Sequence, residues 1–328
     1  MSIFSTHNDM PHKFQRGLLE KLPRVKGRLS ENAAIGHMTW FGVGGPAEVL
    51  FKPEDKEDLI NFIAHCPKDV PVTLLGVASN LIIRDGGVPG VVIRLGREFA
   101  GITAQGLAVT AGAAALDMNV ALVAAKNSIA GLEFLSGIPG TIGGALRMNA
   151  GAYGGEVKDA LVTAEVLYRD GTVKDMTAAG MELSYRHNGL PKEVIFLGCT
   201  LAGREGVKAE IEARMDDIKH KRSESQPIRT KTGGSTFANP EGDKRAWQLI
   251  DQAGCRGLRV GDAEMSTLHC NFMINTGAAS AADIERLGEE VRKRVLETSG
   301  ITLRWEIKRI GIPLEKDADI QALITAGA

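Results

Sequence analysis

Neither sign of charge dominates this chain: 39 Lys+Arg stand against 40 Asp+Glu, a formal net charge of -1 over 328 residues. Without a basic excess, nucleic acid is not expected as a partner. Cysteine is scarce, and Cys66, Cys199, Cys255 and Cys270 lie far apart with no CxxC pair. That spacing opposes a disulfide framework and a zinc site, leaving reduced, buried thiols and no expected metal. Long apolar runs are missing as well. The most apolar window, residues 107–125, is largely alanine and is broken by Asp117 and Asn119, which disqualifies it as a membrane span. Residues 1–30 mix His, Lys, Arg, Asp and Glu without the apolar core of a secretory signal. A soluble, cytoplasmic protein is expected. Two nucleotide fingerprints are also absent, GxGxxG and GxxxxGK[ST], which disfavours the two usual nucleotide folds. What remains is 44% hydrophobic content in a chain long for one core. Two or three domains acting on a small molecule follow.

Glycine is where the chain is rich. Residues 131–155, GLEFLSGIPGTIGGALRMNAGAYGG, hold eight glycines in 25 residues, against about three expected from 39 in 328. A flexible linker would dilute glycine with Ser, Lys and Glu. This run instead carries Leu132, Phe134, Leu135, Ile138, Ile142 and Leu146 with only two charges, Glu133 and Arg147, so it should be packed. Bare backbone can present successive N–H groups to a ligand, and amides around Gly140, Gly143 and Gly144 could cradle a diphosphate. The same glycines would also serve as tight turns in a β-rich domain.

Along the chain, residues 13–22 can form a short helix ended by Pro23, followed by a polar stretch. TWFGVGGPAEVLFKP, residues 39–53, leads into a strand at 48–51 and a helix at 54–65 with Leu59, Ile60 and Ile63 inward. A strand at 70–75 completes a βαβ unit with an expected right-handed crossover. That strand empties into Gly76, Ser79 and Asn80, a place where phosphates are often held. Beyond Gly96 the pattern is strand-rich, with a helix near 116–127, a hairpin turning at Asp170-Gly171 and a strand at 194–200. LSYRHNGLP places Tyr185 and Arg186 in a loop. A helix striped by Val207, Ile211, Met215 and Ile218 follows. After a strand at 271–275, Ser280 and Asp283 open a helix running to Ser299, its inner face Ile284, Leu287, Val291 and Val295. Gly300 stops it, and Ile301, Leu303, Trp305 and Ile307 alternate as a buried strand face.

The ordered set TWFGVGGPAEV, LLGVASNLIIRD, GLEFLSGIPGTIGGALRMNAGAYGGE, SYR, GGSTFANP, HCNFMIN and WEIKRIG resembles the UDP-N-acetylenolpyruvoylglucosamine reductase family over about residues 39–311. The resemblance implies an α+β protein with a non-covalent FAD held in a vanillyl-alcohol-oxidase/PCMH-type fold of two subdomains, plus a C-terminal α+β substrate domain. The corresponding division is an extension at 1–35, FAD-binding subdomains at 36–95 and 96–204, a substrate domain at 205–312 and a tail at 313–328. Only a short stretch separates Arg186 from the strand at Val194, which matches the type II branch. NADPH is implied as co-substrate, the enolpyruvyl ether of a UDP-sugar as substrate, and a monomer as the working form.

By motif match, Gly76, Ser79, Asn80 and Leu81, together with Gly137, Ile138, Pro139, Gly140, Thr141, Gly143, Gly144, Asn149, Gly151 and Ala152, would hold FAD. Two glycine blocks would thus grip one diphosphate from opposite sides. Val77 and Ala78 stand where relatives often carry smaller residues, and Ala238 replaces a common lysine. The family's reaction passes hydride to the enolpyruvyl methylene, so an enolate-like charge needs donors and the α-carbon needs a proton. Arg186 and Glu306 would meet the charge, and Ser235 would supply the proton. Tyr185, Asn239 and Asn271 would bind substrate. Each residue also has a plainer role. Arg186 and Glu306 could be surface ion-pair partners, with Arg304 and Lys308 lowering the acidity range of Glu306. Ser235 could be a turn serine, the asparagines loop ties, His269 a structural histidine, and Lys221 and Arg222 helix-end cations or diphosphate contacts.

Overall fold

The computed structural model describes residues 14–320 and 322. Its first sheet has the strand order Arg28–Ala34, Pro46–Lys52, Val88–Ile93, Val72–Leu74, the first pair antiparallel and the others parallel. The expected βαβ unit is present, with Lys56–His65 as its helix, but its two strands are separated by Val88–Ile93. That central strand is buried at every position. Full burial on both faces explains why its sequence, VPGVVI, does not alternate. Asp55 caps the helix by accepting the Asp58 N–H at 2.7 Å. Phe62, rather than Ile60, completes the buried face with Leu59 and Ile63.

The edge strand Arg28–Ala34 was hidden in the polar stretch. Its residues, RLSENAA, are exposed or half-buried throughout, so backbone pairing and not an apolar pattern places them. The first helix spans only Leu18–Lys21 and begins after Gly17 at φ 70. The expected start at residue 13 lies outside the described residues.

The second sheet is antiparallel throughout, in the order Val173–Met176, Leu161–Leu167, Ile195–Ala202, Ala108–Gly112, Ile102–Gln105. Its core takes in Val109, Ala111 and Val166 from the strands, with Val120, Ala121 and Ala124 from the helix Asp117–Lys126 and Leu146 from the helix Ile142–Met148. Ile211 and Met215 of the helix Lys208–Ser225 join the same core. The buried face of the Asp117–Lys126 helix is made of Val120, Ala121, Ala124 and Ala125, small side chains packed against the sheet.

A third core lies between the helices Ala246–Gln252 and Ala281–Ser299 and the small sheet Arg259–Val260, Ala263–Met265, Met273–Asn275. The long helix has the expected capping box: the Ser280 hydroxyl accepts the Asp283 N–H, and the Asp283 carboxylate accepts the Ser280 N–H, each at 3.0 Å. Gly300 at φ 71 ends it. Ile284, Leu287, Val291 and Val295 are fully buried, each stabilising the fold by about 1.5–3 kcal/mol.

The final segment departs from a regular strand. Leu303, Trp305 and Ile307 are buried, as the alternation requires, yet only a single bridge joins Trp305 to Phe237 before the short strand Lys308–Ile310 pairs in parallel with Leu81–Ile83. The end of the chain therefore returns to its first third. Phe41, Val43 and Ile82 complete the contact by entering the third core. Gly44 permits this approach: it sits at φ 119, and a Cβ there would lie 2.4 Å from the Ile83 carbonyl oxygen. Gly288 does the same for the long helix, where a Cβ would lie 2.1 Å from the Trp305 ring. Gly288→Ala is expected to cost about 1–3 kcal/mol through overpacking, read as a lowered midpoint in urea unfolding.

Candidate active site

Where the strand Val72–Leu74 ends, the Leu75 N–H still bonds the Ile93 carbonyl at 2.8 Å. The amides of residues 76–80 that follow donate to no protein acceptor among the described residues. Such a run of open donors at a strand end suits an anion. Ala78 adopts φ 52, the left-handed backbone that glycine takes without strain and alanine holds at a cost of about 1–2 kcal/mol. This is the position the resemblance singled out as larger than usual.

The second glycine block faces the first. A Cβ on Gly76 would lie 3.1 Å from Thr141 Oγ1. The N–H groups of Ile142 and Gly143 are spent on the Ala115 and Ala113 carbonyls at 3.0 and 2.9 Å, so the Gly143 amide does not reach a ligand as expected. Its role is close packing, since a Cβ there would sit 3.2 Å from Ala113. The amides of Gly140, Thr141 and Gly144 stay open among the described residues. Two facing sets of unpaired N–H groups fit the acceptor-only diphosphate of FAD. Earlier in the block, the Ile138 N–H bonds the Leu135 carbonyl at 3.1 Å, and Gly137 lies beneath Tyr153, whose ring would be 2.9 Å from a Cβ there. Pro139, lacking an N–H, leads into the open amides.

Behind this loop lies Asp117, which the sequence showed only as a break in an apolar window. Its N–H donates to the Gly140 carbonyl at 3.2 Å. Its carboxyl group is fully buried, and neither oxygen has a hydrogen-bond partner among the described residues. Burial pushes this acid well above the usual carboxylate range. The neighbouring Cys199 thiol is pushed up to about 12, by burial first and by Asp117 second. A Cβ on Gly140 would lie 2.8 Å from Asp117 Oδ2, which ties the glycine to the acid.

Asn149, at φ 40, ends the Ile142–Met148 helix. Its amide donates to Glu156 Oε2 and the Ser184 carbonyl, and its Oδ1 accepts the Lys158 N–H, all at 3.0 Å. The side chain is consumed by protein contacts, so it holds the glycine hairpin Gly151–Ala152, Gly155–Glu156 against the loop at 184–186. That contact brings Gly151 to Arg186. Arg186 Nη2 donates to the Gly151 carbonyl at 3.1 Å, Nε donates to Glu306 Oε1 at 3.0 Å, and the guanidinium lies 5.1 Å over the Tyr185 ring. Arg186 Nη1 has no protein acceptor among the described residues.

Glu306 is fixed along its backbone: its N–H donates to the Thr236 carbonyl at 2.8 Å, and its carbonyl accepts Asn80 Nδ2 at 3.3 Å. The Lys308 N–H meets the Asn80 carbonyl at 3.0 Å, extending the pairing that Leu81 begins. Ser235 stands beside Thr236 and forms a bridge with Phe272, while its hydroxyl bonds no protein group among the described residues. Arg186 thus meets Glu306 and Gly151, Asn80 meets the Glu306 backbone, and Ser235 adjoins Thr236, whose carbonyl holds the Glu306 amide.

The remaining candidates serve the scaffold. Asn271 accepts the Phe237 N–H at 3.0 Å and donates to the Phe237 carbonyl at 2.9 Å. Asn239 Oδ1 accepts the Ala246 N–H at 3.0 Å, starting the Ala246–Gln252 helix. The Ala238 N–H meets the Arg304 carbonyl at 2.9 Å. His269 Nδ1 accepts the Asn271 N–H at 3.3 Å, and burial lowers its affinity for a proton. Lys221 pairs with Asp217 at 2.8 Å, and Arg222 Nε donates to Gln226 at 3.1 Å. Lys308, which sequence reasoning read only as a neighbour of Glu306, is held down to about 8, chiefly by burial and then by Arg304.

Comparison with known proteins agrees with this geometry. Residues 47–177 match an FAD binding domain family, and residues 226–310 match the C-terminal domain of UDP-N-acetylenolpyruvoylglucosamine reductase. The chain is 58% identical to the UDP-N-acetylenolpyruvoylglucosamine reductase of Rhodospirillum rubrum, over 91% of this chain and 95% of that one. The enzyme of that name from Parvibaculum lavamentivorans is also 58% identical, over 91% and 96%. The crystal structure of the Thermus caldophilus reductase superposes with a TM-score of 0.76 at 36% identity, covering 88% of this chain and all of the other. With relatives this similar over nearly their whole length, the chain belongs to the UDP-N-acetylenolpyruvoylglucosamine reductase family.

Proposed function

We propose that this protein is an FAD-dependent oxidoreductase that uses NADPH to reduce the enolpyruvyl ether of UDP-N-acetylglucosamine to UDP-N-acetylmuramate, a step in peptidoglycan precursor synthesis. The observation that carries the reading is the Arg186–Glu306 pair at 3.0 Å, set beside the open amides of residues 76–80. FAD, when bound, carries hydride from NADPH to the enolpyruvyl methylene. The chain's own groups do the rest. Arg186 keeps Nη1 for the substrate carboxylate, a charge-assisted donor whose direction the other two nitrogens fix through Glu306 and Gly151. Negative charge that grows there is met by a donor already fixed through Gly151 and Glu306, so little reorganisation is needed. Ser235 gives the α-carbon its proton and regains one from solvent. Tyr185 supports the guanidinium, while Asn239 and Asn271 shape the substrate side by fixing the loop that presents Ser235.

On this reading residues 36–95 and 96–204 form the cofactor-binding half, with diphosphate contacts from the open amides of residues 76–80 and of Gly140, Thr141 and Gly144. Residues 205–312 form the substrate half. No helix among the described residues is long and apolar enough to cross a membrane; on this reading the protein works as a cytoplasmic monomer on a soluble nucleotide-sugar. Purified protein is expected to be yellow, to bleach anaerobically with NADPH, and to recover its colour when the enolpyruvyl UDP-sugar is added. A colourless preparation that takes up no FAD, or a bleached one that the UDP-sugar cannot reoxidise, would overturn the proposal.

A further inference from the structure

Glu306 reaches Arg186 from a segment with almost no ladder pairing of its own. Its neighbours on both sides are held from behind by one face of the Ala281–Ser299 helix. Glu289 Oε1 accepts the Trp305 indole N–H at 2.8 Å and an Arg309 N–H at 3.2 Å. The Arg309 guanidinium stacks 4.4 Å over the Trp305 ring, closing a triangle of acid, indole and cation. Arg292 donates to the second oxygen, Oε2, so both oxygens of Glu289 are engaged. The adjacent Gly288 gives the Trp305 ring a flat seat, and one turn earlier the buried pair Glu285–Arg84 at 3.0 Å reaches the Gly311 carbonyl, also at 3.0 Å. Residues 305, 309 and 311 are therefore pinned to the helix, and Glu306 projects from the opposite side of the same segment.

We propose that Glu289 is a positioning residue for the reaction: through Trp305 and Arg309 it sets the height and rotation of the segment that presents Glu306 to Arg186. The inference rests on the role given to Glu306 above. Beyond the backbone bonds of Glu306 to Thr236 and Asn80, this buried anchor sets where the carboxylate sits, and a misplacement of about 1 Å can cost on the order of 10²-fold in rate. The segment meets the first glycine block only through Asn80 and the backbone pairing of Lys308–Ile310 with Leu81–Ile83, bonds in which the Glu289 carboxylate takes no part, so delivery of reducing equivalents to the flavin is expected to be nearly unaffected by its loss.

The test compares Glu289→Ala, Glu289→Gln and Trp305→Phe in the FAD-loaded protein, with Glu306→Gln as reference. For Glu289→Ala, flavin bleaching by NADPH is expected to stay within about twofold of the parent, while recolouring by the enolpyruvyl UDP-sugar slows about tenfold or more. Glu289→Gln keeps an acceptor for the indole and is expected to restore most of that rate. Hydrogen exchange at the Glu306 amide, bonded to Thr236, should accelerate about tenfold in Glu289→Ala and in Trp305→Phe and remain near parental in Glu289→Gln. Parental exchange in Glu289→Ala, or parallel loss of both half-reactions, would overturn the positioning role. Fast recolouring in Glu306→Gln would instead remove the role of Glu306, and the exchange measurement would still report on the anchor.

Discussion

Ser235→Ala is expected to slow reoxidation of the reduced flavin by the enolpyruvyl UDP-sugar about 10³-fold, while reduction by NADPH proceeds at the parental rate. General acid catalysis contributes about 10²–10⁴-fold, and about 10³-fold corresponds to about 4 kcal/mol of barrier. The selectivity follows from placement. The Ser235 hydroxyl has no protein partner among the described residues, and its backbone bridge to Phe272 does not depend on the side chain, so the fold is expected to tolerate the change. Anaerobic stopped-flow at the flavin absorbance separates the two half-reactions. Equal slowing of both, or an unchanged second one, would remove Ser235 as the proton donor. A return of the rate in Ser235→Cys, which keeps a transferable proton, would strengthen it.

The second large effect concerns stability and pH. In the folded protein Asp117 keeps its proton because its carboxyl is buried without a hydrogen bond, whereas the unfolded chain gives that proton up near the ordinary carboxylate range. The folded state then binds more protons than the unfolded one. Its stability therefore falls as pH rises, by about 1.4 kcal/mol for each pH unit, from the unfolded value until the folded acid itself ionises. Asp117→Asn removes this dependence. Urea unfolding of the two proteins from pH 4 to pH 8 should show the difference between them moving steadily in favour of the asparagine variant. A constant difference across that range would mean that the buried carboxyl has an ordinary affinity for its proton.

Much of the site was legible because its residues are unusual for their surroundings. Packed glycines in the apolar run at 131–155 pointed to open backbone, and the amides of Gly140, Thr141 and Gly144 are open there; the strand end at Gly76, Ser79 and Asn80 is followed by open amides at 76–80. The long helix could be read from Ser280, Asp283 and its apolar stripe, because caps and 3.6-residue spacing are local. Other features depend on partners far away in sequence. Arg28–Ala34 pairs by backbone alone, so its side chains carry no pattern. Gly143 looked like an anion donor, but its amide belongs to the Ala113 carbonyl, a contact no spacing rule announces. Asp117 and Glu289 were missed for a related reason: an acid on a helix reads as solvated until the packing around it is known. The irregular segment around Glu306 also escaped, since its alternation of burial is strand-like while its pairing is nearly absent.

The parallel pairing of Lys308–Ile310 with Leu81–Ile83 has a bearing on how the protein is made. Leu81–Ile83 pairs with no other strand among the described residues, so it waits on the ribosome until almost the entire chain has emerged. Closing so long a loop is slow relative to local folding. The upstream amides at 76–80 continue directly into that strand, so a chain cut before residue 308 is expected to leave this side of the cradle without its partner strand.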